Sequence, residues 1–362
     1  MSAGSTSGLH EGSEVETGTD EVRAAVRGRV GHLELNRPRA LNALTYAMVD
    51  AIAATLEAWR DDARVETVLL TGAGERGFCA GGDILALYED AKQGDCTMGP
   101  AFWADEYRLD VAIAEYPKPV VAVMDGLVLG GGIGLSAHAS HRVVTERSKV
   151  GMPEVGIGFL PDVGGTWLLS HAPGELGTHL ALTGGSVGAG DALALGLADS
   201  FVRSDSLAAL TAALGDRAPD DVLAELAEPA PASDLLGERS WIDAAYAGDD
   251  ALEIVRRLEA GAEEAARTAA ATIRSKSPTS CAVALAALRA AAGMSGLREA
   301  LDAEYRAAVR LQRGPDFVEG VRAQIVDKDR NPRWTPARLE DLPPGTAADH
   351  LAPLGDAELG LA

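Results

Sequence analysis

Apolar and polar residues alternate from Val26 to Asn36 (VRGRVGHLELN), the period of a half-buried strand. From Thr45, TYAMVDAIAATLEAWRDD carries apolar residues at helical spacing behind a threonine suited to cap the first turn. The continuous apolar run VETVLLTG (Val65 to Gly72) predicts a buried strand, followed by a Gly-rich loop and a helix from about Ile84. The order then returns in altered form. PVVAVMDG (Pro119 to Gly126) predicts a second buried strand, and the glycine cluster from Gly130 opens an apolar helix, GIGLSAHAS. Short strands HRVVTE and KVGM follow, then helices near Gly164 to Leu169 and Leu176 to Leu182. Such alternation is that of an α/β fold, with a core expected over 21–203. From Ser204 the composition shifts to Ala, Asp, Glu and Pro in helical patterns broken at EPAPAS, so a helical C-terminal region is expected over 204–345. The small, polar residues 1–20 show neither an apolar leader nor an Arg-rich amphipathic pattern and read as a disordered tail; 346–362, without periodicity, read as a loose one.

Charge and composition narrow the partners. The formal net charge is −22, which repels nucleic acid and anionic membranes, and no apolar run approaches the roughly 20 residues needed to cross a bilayer. An anionic ligand would need a local basic or helix-dipole patch against that field. Three widely spaced cysteines, Cys79, Cys96 and Cys281, make neither a disulfide framework nor a thiolate metal cluster, so the cytoplasm is the expected compartment and no metal is expected.

Some motifs point the wrong way. Gly72, Gly74 and Gly77 spell GxGxxG after a strand, yet Gly77 runs into another loop, FCAGGD, where a dinucleotide fingerprint would already be helical. No GxSxG elbow, HExxH or Walker loop occurs. His138 and His141 lack a nearby third ligand, and Cys79 lacks a histidine partner in sequence. What remains is two glycine-rich turns, each after a buried strand: FCAGGD (Phe78 to Asp83) and LGGGIG (Leu129 to Gly134). Either both are tight turns and no more, or one N–H from each converges on a single oxygen as an oxyanion hole, the second strengthened by the helix behind it. Spacing alone leaves both open.

Taken with their neighbours, these turns resemble the crotonase (enoyl-CoA hydratase/isomerase) superfamily over about 22–340. LNRPRALNAL (Leu35 to Leu44), RGFCAGGDI (Arg76 to Ile84), DGLVLGGGIGLS (Asp125 to Ser136) and MPEVGIGFLPDVGGT (Met152 to Thr166) carry the likeness. It implies a spiral of ββα units, a bent CoA that is part of the substrate rather than a cofactor, and a thioester carbonyl held by the N–H groups of Gly82 and Gly131. Hydratases of this superfamily have two catalytic glutamates. Here the second is Glu154, but the first position is Gly134, which argues against water addition to an enoyl-CoA. The chain instead resembles the 3-hydroxyisobutyryl-CoA hydrolase branch, where an aspartate eight residues past the glutamate, here Asp162, supplies the second carboxylate. AFWADEYRLD (Ala101 to Asp110), KSPTS (Lys276 to Ser280) and DFVEGVRAQIVDKDRNPRW (Asp316 to Trp334) extend that match.

By this resemblance Glu106 lines the acyl site with Ala80 and Asp83, and Lys328 is a candidate partner for a CoA phosphate. Glu154 either attacks to give a mixed anhydride or activates water as general base, and Asp162 donates a proton or orients the water. The expected reaction is hydrolysis of a short hydroxyacyl-CoA ester, as in valine catabolism. A hydratase or isomerase using Glu154 alone and a non-catalytic CoA-binding protein are the alternatives. Assembly into a homo-oligomer is left open.

Overall fold

The computed structural model describes residues 13–94 and 96–362. Its eleven strands among those residues are β1 (Ser13–Val15), β2 (Val22–Arg27), β3 (Val30–Leu35), β4 (Thr67–Gly72), β5 (Gly77–Cys79), β6 (Val120–Met124), β7 (Leu127–Leu129), β8 (His141–Val144), β9 (Lys149–Gly151), β10 (Ser186–Val187) and β11 (Ser200–Phe201). They form a seven-stranded sheet in the order β1-β2-β3-β4-β6-β8-β11 and a four-stranded sheet in the order β10-β9-β7-β5. From β3 onward the large sheet is parallel, while β1, β2 and β3 pair antiparallel. Each turn of the chain therefore gives one strand to each sheet: β4 then β5, β6 then β7, β8 then β9. This is the spiral of ββα units expected above.

Five helices position the site: α1 (Tyr46–Arg60), α2 (Ile84–Gln93), α3 (Met98–Ala114), α4 (Gly131–Ala137) and α5 (Gly165–Ser170). Thr45 Oγ1 accepts from Met48 N at 3.2 Å and caps α1 as its position predicted. α2 ends on Gly94 at φ +85, and its Asp90 turns back to accept from Met98 N at 2.9 Å, so one carboxylate fastens the start of α3. Parallel strands must be covered on both faces. One face carries the main core, which runs from Val22 to Leu339; the other packs Leu69, Val121, Val143 and Val202 under Leu207–Ala213 and Pro219–Leu226. The helical region after β11 thus supplies the second cover of the sheet.

Three expectations change. Val26 to Asn36 is not one strand: Gly28 at φ +59 turns the chain between β2 and β3, and the period-2 pattern continues through the turn and hides it. Of the disordered tail expected over 1–20, residues 1–12 lie outside the described residues, and Ser13–Val15 pairs with β2 because that edge is open and Val15 reaches the core. The loose tail expected over 346–362 carries a helix, Thr346–Leu351, and then lies along the helix Leu297–Arg313. Leu354, Leu359 and Leu361 pack on the core, Leu361 N and Ala362 N donate to Asp302, and Arg310 binds the carbonyls of His350 and Ala352. Irregularly spaced leucines fill separate gaps and so show no period in the sequence.

Candidate active site

The two glycine turns meet. On the first, Leu44 N donates to Gly81 O and Asp83 N to Leu44 O; on the second, Gly130 N donates to Gly151 O and Ile133 N to Gly130 O. The Gly82 and Gly131 N–H groups stand between these bonds. Gly131 is the first residue of α4, so its N–H has no acceptor within the helix and the helix dipole adds to it. The place a Cβ on Gly131 would take lies 3.4 Å from Gly82 N, which puts the two amides side by side. Gly130, at φ +50 and ψ −121, makes the turn in a conformation closed to other residues.

Around this turn the missing side chains leave room for carboxyl groups. A Cβ on Gly130 would lie 2.7 Å from Glu154 Oε1, one on Gly131 2.5 Å from Glu106 Oε1, and one on Gly134 2.6 Å from Asp110 Oδ1. Glu154 begins the 3-10 turn Glu154–Ile157 after β9. Glu106 and Asp110 sit one turn apart on α3, both on its buried side. Asp162 accepts from the Tyr107 hydroxyl at 2.8 Å. The loop after it is held hard: Val163 takes φ +52, its carbonyl accepts from His138 Nε2 at 2.8 Å, and Gly164 N donates to Glu304 at 2.7 Å. The Thr166 amide and hydroxyl bind the same Glu304 carboxyl, which thereby caps α5. A β-branched residue at positive φ is costly and persists only when its neighbours fix it, as these do.

The electrostatics are those of crowded acids. The charged groups acting on Glu154 are Asp162, Glu106 and Glu304, all of one sign. Burial, then the Asp162 charge, holds Glu154 and Glu106 well above the usual carboxylate range. Burial, then Glu106, does the same to Asp110. Burial pushes Asp162 up to about 7 against the Tyr107 hydrogen bond, and Glu304 to about 8. Among the described residues, Glu106 Oε1, Glu154 Oε2 and both oxygens of Asp110 have no hydrogen-bond partner.

These shifts set a sign for stability. A native carboxyl with a raised pKa keeps a proton that the unfolded chain releases, so stability is lost as pH rises from the ordinary value toward the native one. Asp110→Asn removes one such group. Its stability relative to the wild type is expected to grow by about 1.4 kcal/mol per pH unit in that window. Urea unfolding at pH 5, 6 and 7 measures it; a difference that does not change with pH would mean Asp110 is ionised in the native state.

The other expected residues are placed as follows. Ala80, half-buried, donates its N–H to Leu41 O and helps set the first turn. Asp83 pairs with Arg37 at 2.9 Å and ties that turn to the LNRP segment. Lys328 stands on an exposed turn at φ +57, between Asp327 and Asp329, both paired to Arg322. Another cation approaches the turn that carries Glu154: a Cβ on Gly156 would lie 3.6 Å from Lys276 Nζ. Gly77 opens β5 rather than a helix, so GxGxxG is no dinucleotide turn. His141 bonds Asp220 while His138 bonds Val163, and burial pushes the Cys79 thiol up to about 12. Sequence reasoning missed Tyr107, Asp110, His138 and Glu304 as parts of the site. Asp110 carried a signal, an acid one turn from Glu106 in a largely apolar helix; Glu304, 138 residues beyond Thr166, carried none.

Comparison with known proteins agrees with this architecture. Residues 30–351 match the family model described as enoyl-CoA hydratase/isomerase. A Gallus gallus protein named 3-hydroxyisobutyryl-CoA hydrolase, mitochondrial, is 38% identical over 352 residues, covering 94% of this chain and 91% of the relative. Among solved structures, a carnitinyl-CoA dehydratase from Mycobacterium thermoresistibile superposes with a TM-score of 0.91 at 47% identity, covering 95% of this chain and 99% of that one. An enoyl-CoA hydratase from Rhodobacter sphaeroides 2.4.1 gives 0.89 at 45%, covering 94% and 99%.

Proposed function

The chain belongs to the enoyl-CoA hydratase/isomerase family, and on that premise we propose that it hydrolyses a short hydroxyacyl-CoA thioester, 3-hydroxyisobutyryl-CoA foremost, to the free hydroxy acid and CoA. The observation that carries the reading is the source of the second acid. α4 brings none, because position 134 is glycine, whereas Asp162 is delivered beside Glu154 by a loop anchored at Tyr107, His138 and Glu304. The relative named as a hydrolase, 38% identical over most of both chains, supports the same reaction.

In this reading the Gly82 and Gly131 amides take the thioester oxygen and stabilise the charge of the tetrahedral intermediate. Glu154, ionised, attacks the carbonyl carbon or takes a proton from the attacking water; hydroxylamine added during turnover separates the routes, since a mixed anhydride opened at its glutamyl carbonyl leaves a hydroxamate on Glu154, a product the general-base route cannot form. A thiol of pKa about 8.5 leaves without strong acid help. Asp162, held near neutrality by burial, still carries enough of its proton to hand one to the departing sulfur. CoA enters as part of the substrate and no separate cofactor takes part. Lys328 is a partner for one of its phosphates, a local cation in a chain of net charge −22. We assign the reaction to valine catabolism and, because three cysteines so widely spaced along the chain make no disulfide framework, to the cytoplasm, although the Gallus gallus relative is named mitochondrial. Among the described residues no helix is long and apolar enough to cross a membrane.

The names of the two solved relatives, a dehydratase and a hydratase, favour a second reading in which Glu154 alone adds water to an enoyl-CoA. One assay decides. Purified protein is given 3-hydroxyisobutyryl-CoA and crotonyl-CoA while free thiol and enoyl absorbance are followed. Thiol release from the hydroxy ester is expected. Loss of enoyl absorbance without thiol release would replace the hydrolase reading with the hydratase one, and inactivity on both esters and on a wider panel would favour a CoA-binding protein.

A further inference from the structure

We propose that Asp110 is a specificity-determining residue, its carboxyl group hydrogen-bonding the polar substituent of a short acyl chain whose carbonyl oxygen lies between the Gly82 and Gly131 amides. This rests on the hydrolase reading of the same site. The chemistry above leaves Asp110 without a role, yet it is fully buried, and among the described residues neither of its oxygens has a partner. Its carboxyl fills the space beside Gly134 that a side chain on α4 would otherwise occupy. Gly134 is three residues along α4 from Gly131, a rise of about 4.5 Å. A 3-hydroxyl is three bonds from the carbonyl carbon, so an acyl chain directed along α4 brings its oxygen to the level of Asp110.

The surroundings fix what Asp110 offers. Glu106 on its own helix, Asp162 on the loop before α5 and Glu304 on Leu297–Arg313 face it, all acids. Among such neighbours the carboxyl keeps its proton and acts as a donor. Buried donors have acceptors in native proteins. A substrate oxygen supplies one here, and an acyl group without that oxygen leaves Asp110 unpaired.

The test compares the wild type with Asp110→Asn and Asp110→Leu on 3-hydroxyisobutyryl-CoA and on isobutyryl-CoA, which lacks the hydroxyl. The leucine variant is expected to lose roughly 30-fold or more in kcat/KM on the hydroxy ester while staying within about threefold on isobutyryl-CoA. The asparagine variant, which keeps a donor of the same size, should retain the preference to within a few-fold. Asp110→Ala takes the place of leucine if a thermal melt shows that variant unfolded. Equal losses on both esters would reduce Asp110 to a structural residue, and an asparagine variant as unselective as the leucine one would remove the donor role. A wild type that releases thiol but shows no change of selectivity in any variant overturns this inference alone; a wild type that releases thiol from neither ester removes the hydrolase reading and this inference with it.

Discussion

Replacing Glu154 with glutamine is expected to lower kcat by about 10³-fold or more while binding of the CoA ester persists. The substitution keeps the shape of a side chain buried against Gly130 and removes only the ionisable oxygen. Titration calorimetry with a non-hydrolysed CoA analogue separates the two effects. The wild-type pH profile adds an independent check. The working form of Glu154 is the ionised one, so kcat/KM falls as pH drops through its native pKa, which burial and the Asp162 charge hold well above the usual carboxylate range. The acid limb should therefore lie far above that of a solvated glutamate. Asp162→Asn removes one of the two main causes and should move the limb to lower pH, besides slowing turnover by orders of magnitude. Turnover near the wild-type rate in Glu154→Gln would take this residue out of the mechanism.

The second large effect is expected at Gly131. An alanine methyl there would meet Glu106 Oε1 at 2.5 Å, Leu44 Cδ1 at 3.1 Å and Gly82 N at 3.4 Å. It would stand in front of one amide and displace the acid beside the other. Loss of one oxyanion donor costs about 10² to 10³ in rate, and Gly131→Ala should fall in or beyond that range. Backbone strain is not the cause, because Gly131 has helical dihedrals within α4 and its φ is not positive. Steady-state kinetics beside a melting curve measure the outcome. Turnover within threefold of wild type would show that the carbonyl binds elsewhere.

Much of this site could be read from the chain because its parts are local. FCAGGD and LGGGIG each announce a turn at the end of a buried strand, and the spacing of Glu154 and Asp162 lies within one loop. The fold was legible wherever apolar periodicity changed at a glycine, as at β4, β6 and α4. It failed where a pattern ran on through a turn, as at Gly28, and where burial was decided by distant partners. Nothing in LREALDAEYR says that Glu304 reaches Gly164 and Thr166. Nor does EYRLD say that Asp110 faces inward, since an acid on a helix is ordinarily solvated. What buries it is the absence of a side chain at Gly134, on a helix that begins seventeen residues after α3 ends.

That absence has an evolutionary reading. A side chain at position 134 would collide with the Asp110 carboxyl at 2.6 Å and with Val163 Cβ at 2.8 Å. An acid cannot be placed on α4 at this position by one substitution while Asp110 stays on α3, and shortening residue 110 first would leave a hole beside four buried carboxyls. The two positions are epistatic: each step between a site with its acid on α4 and one with its acid on α3 passes through a poorly packed intermediate. Among descendants of a common ancestor, residues 110 and 134 should have changed together or not at all.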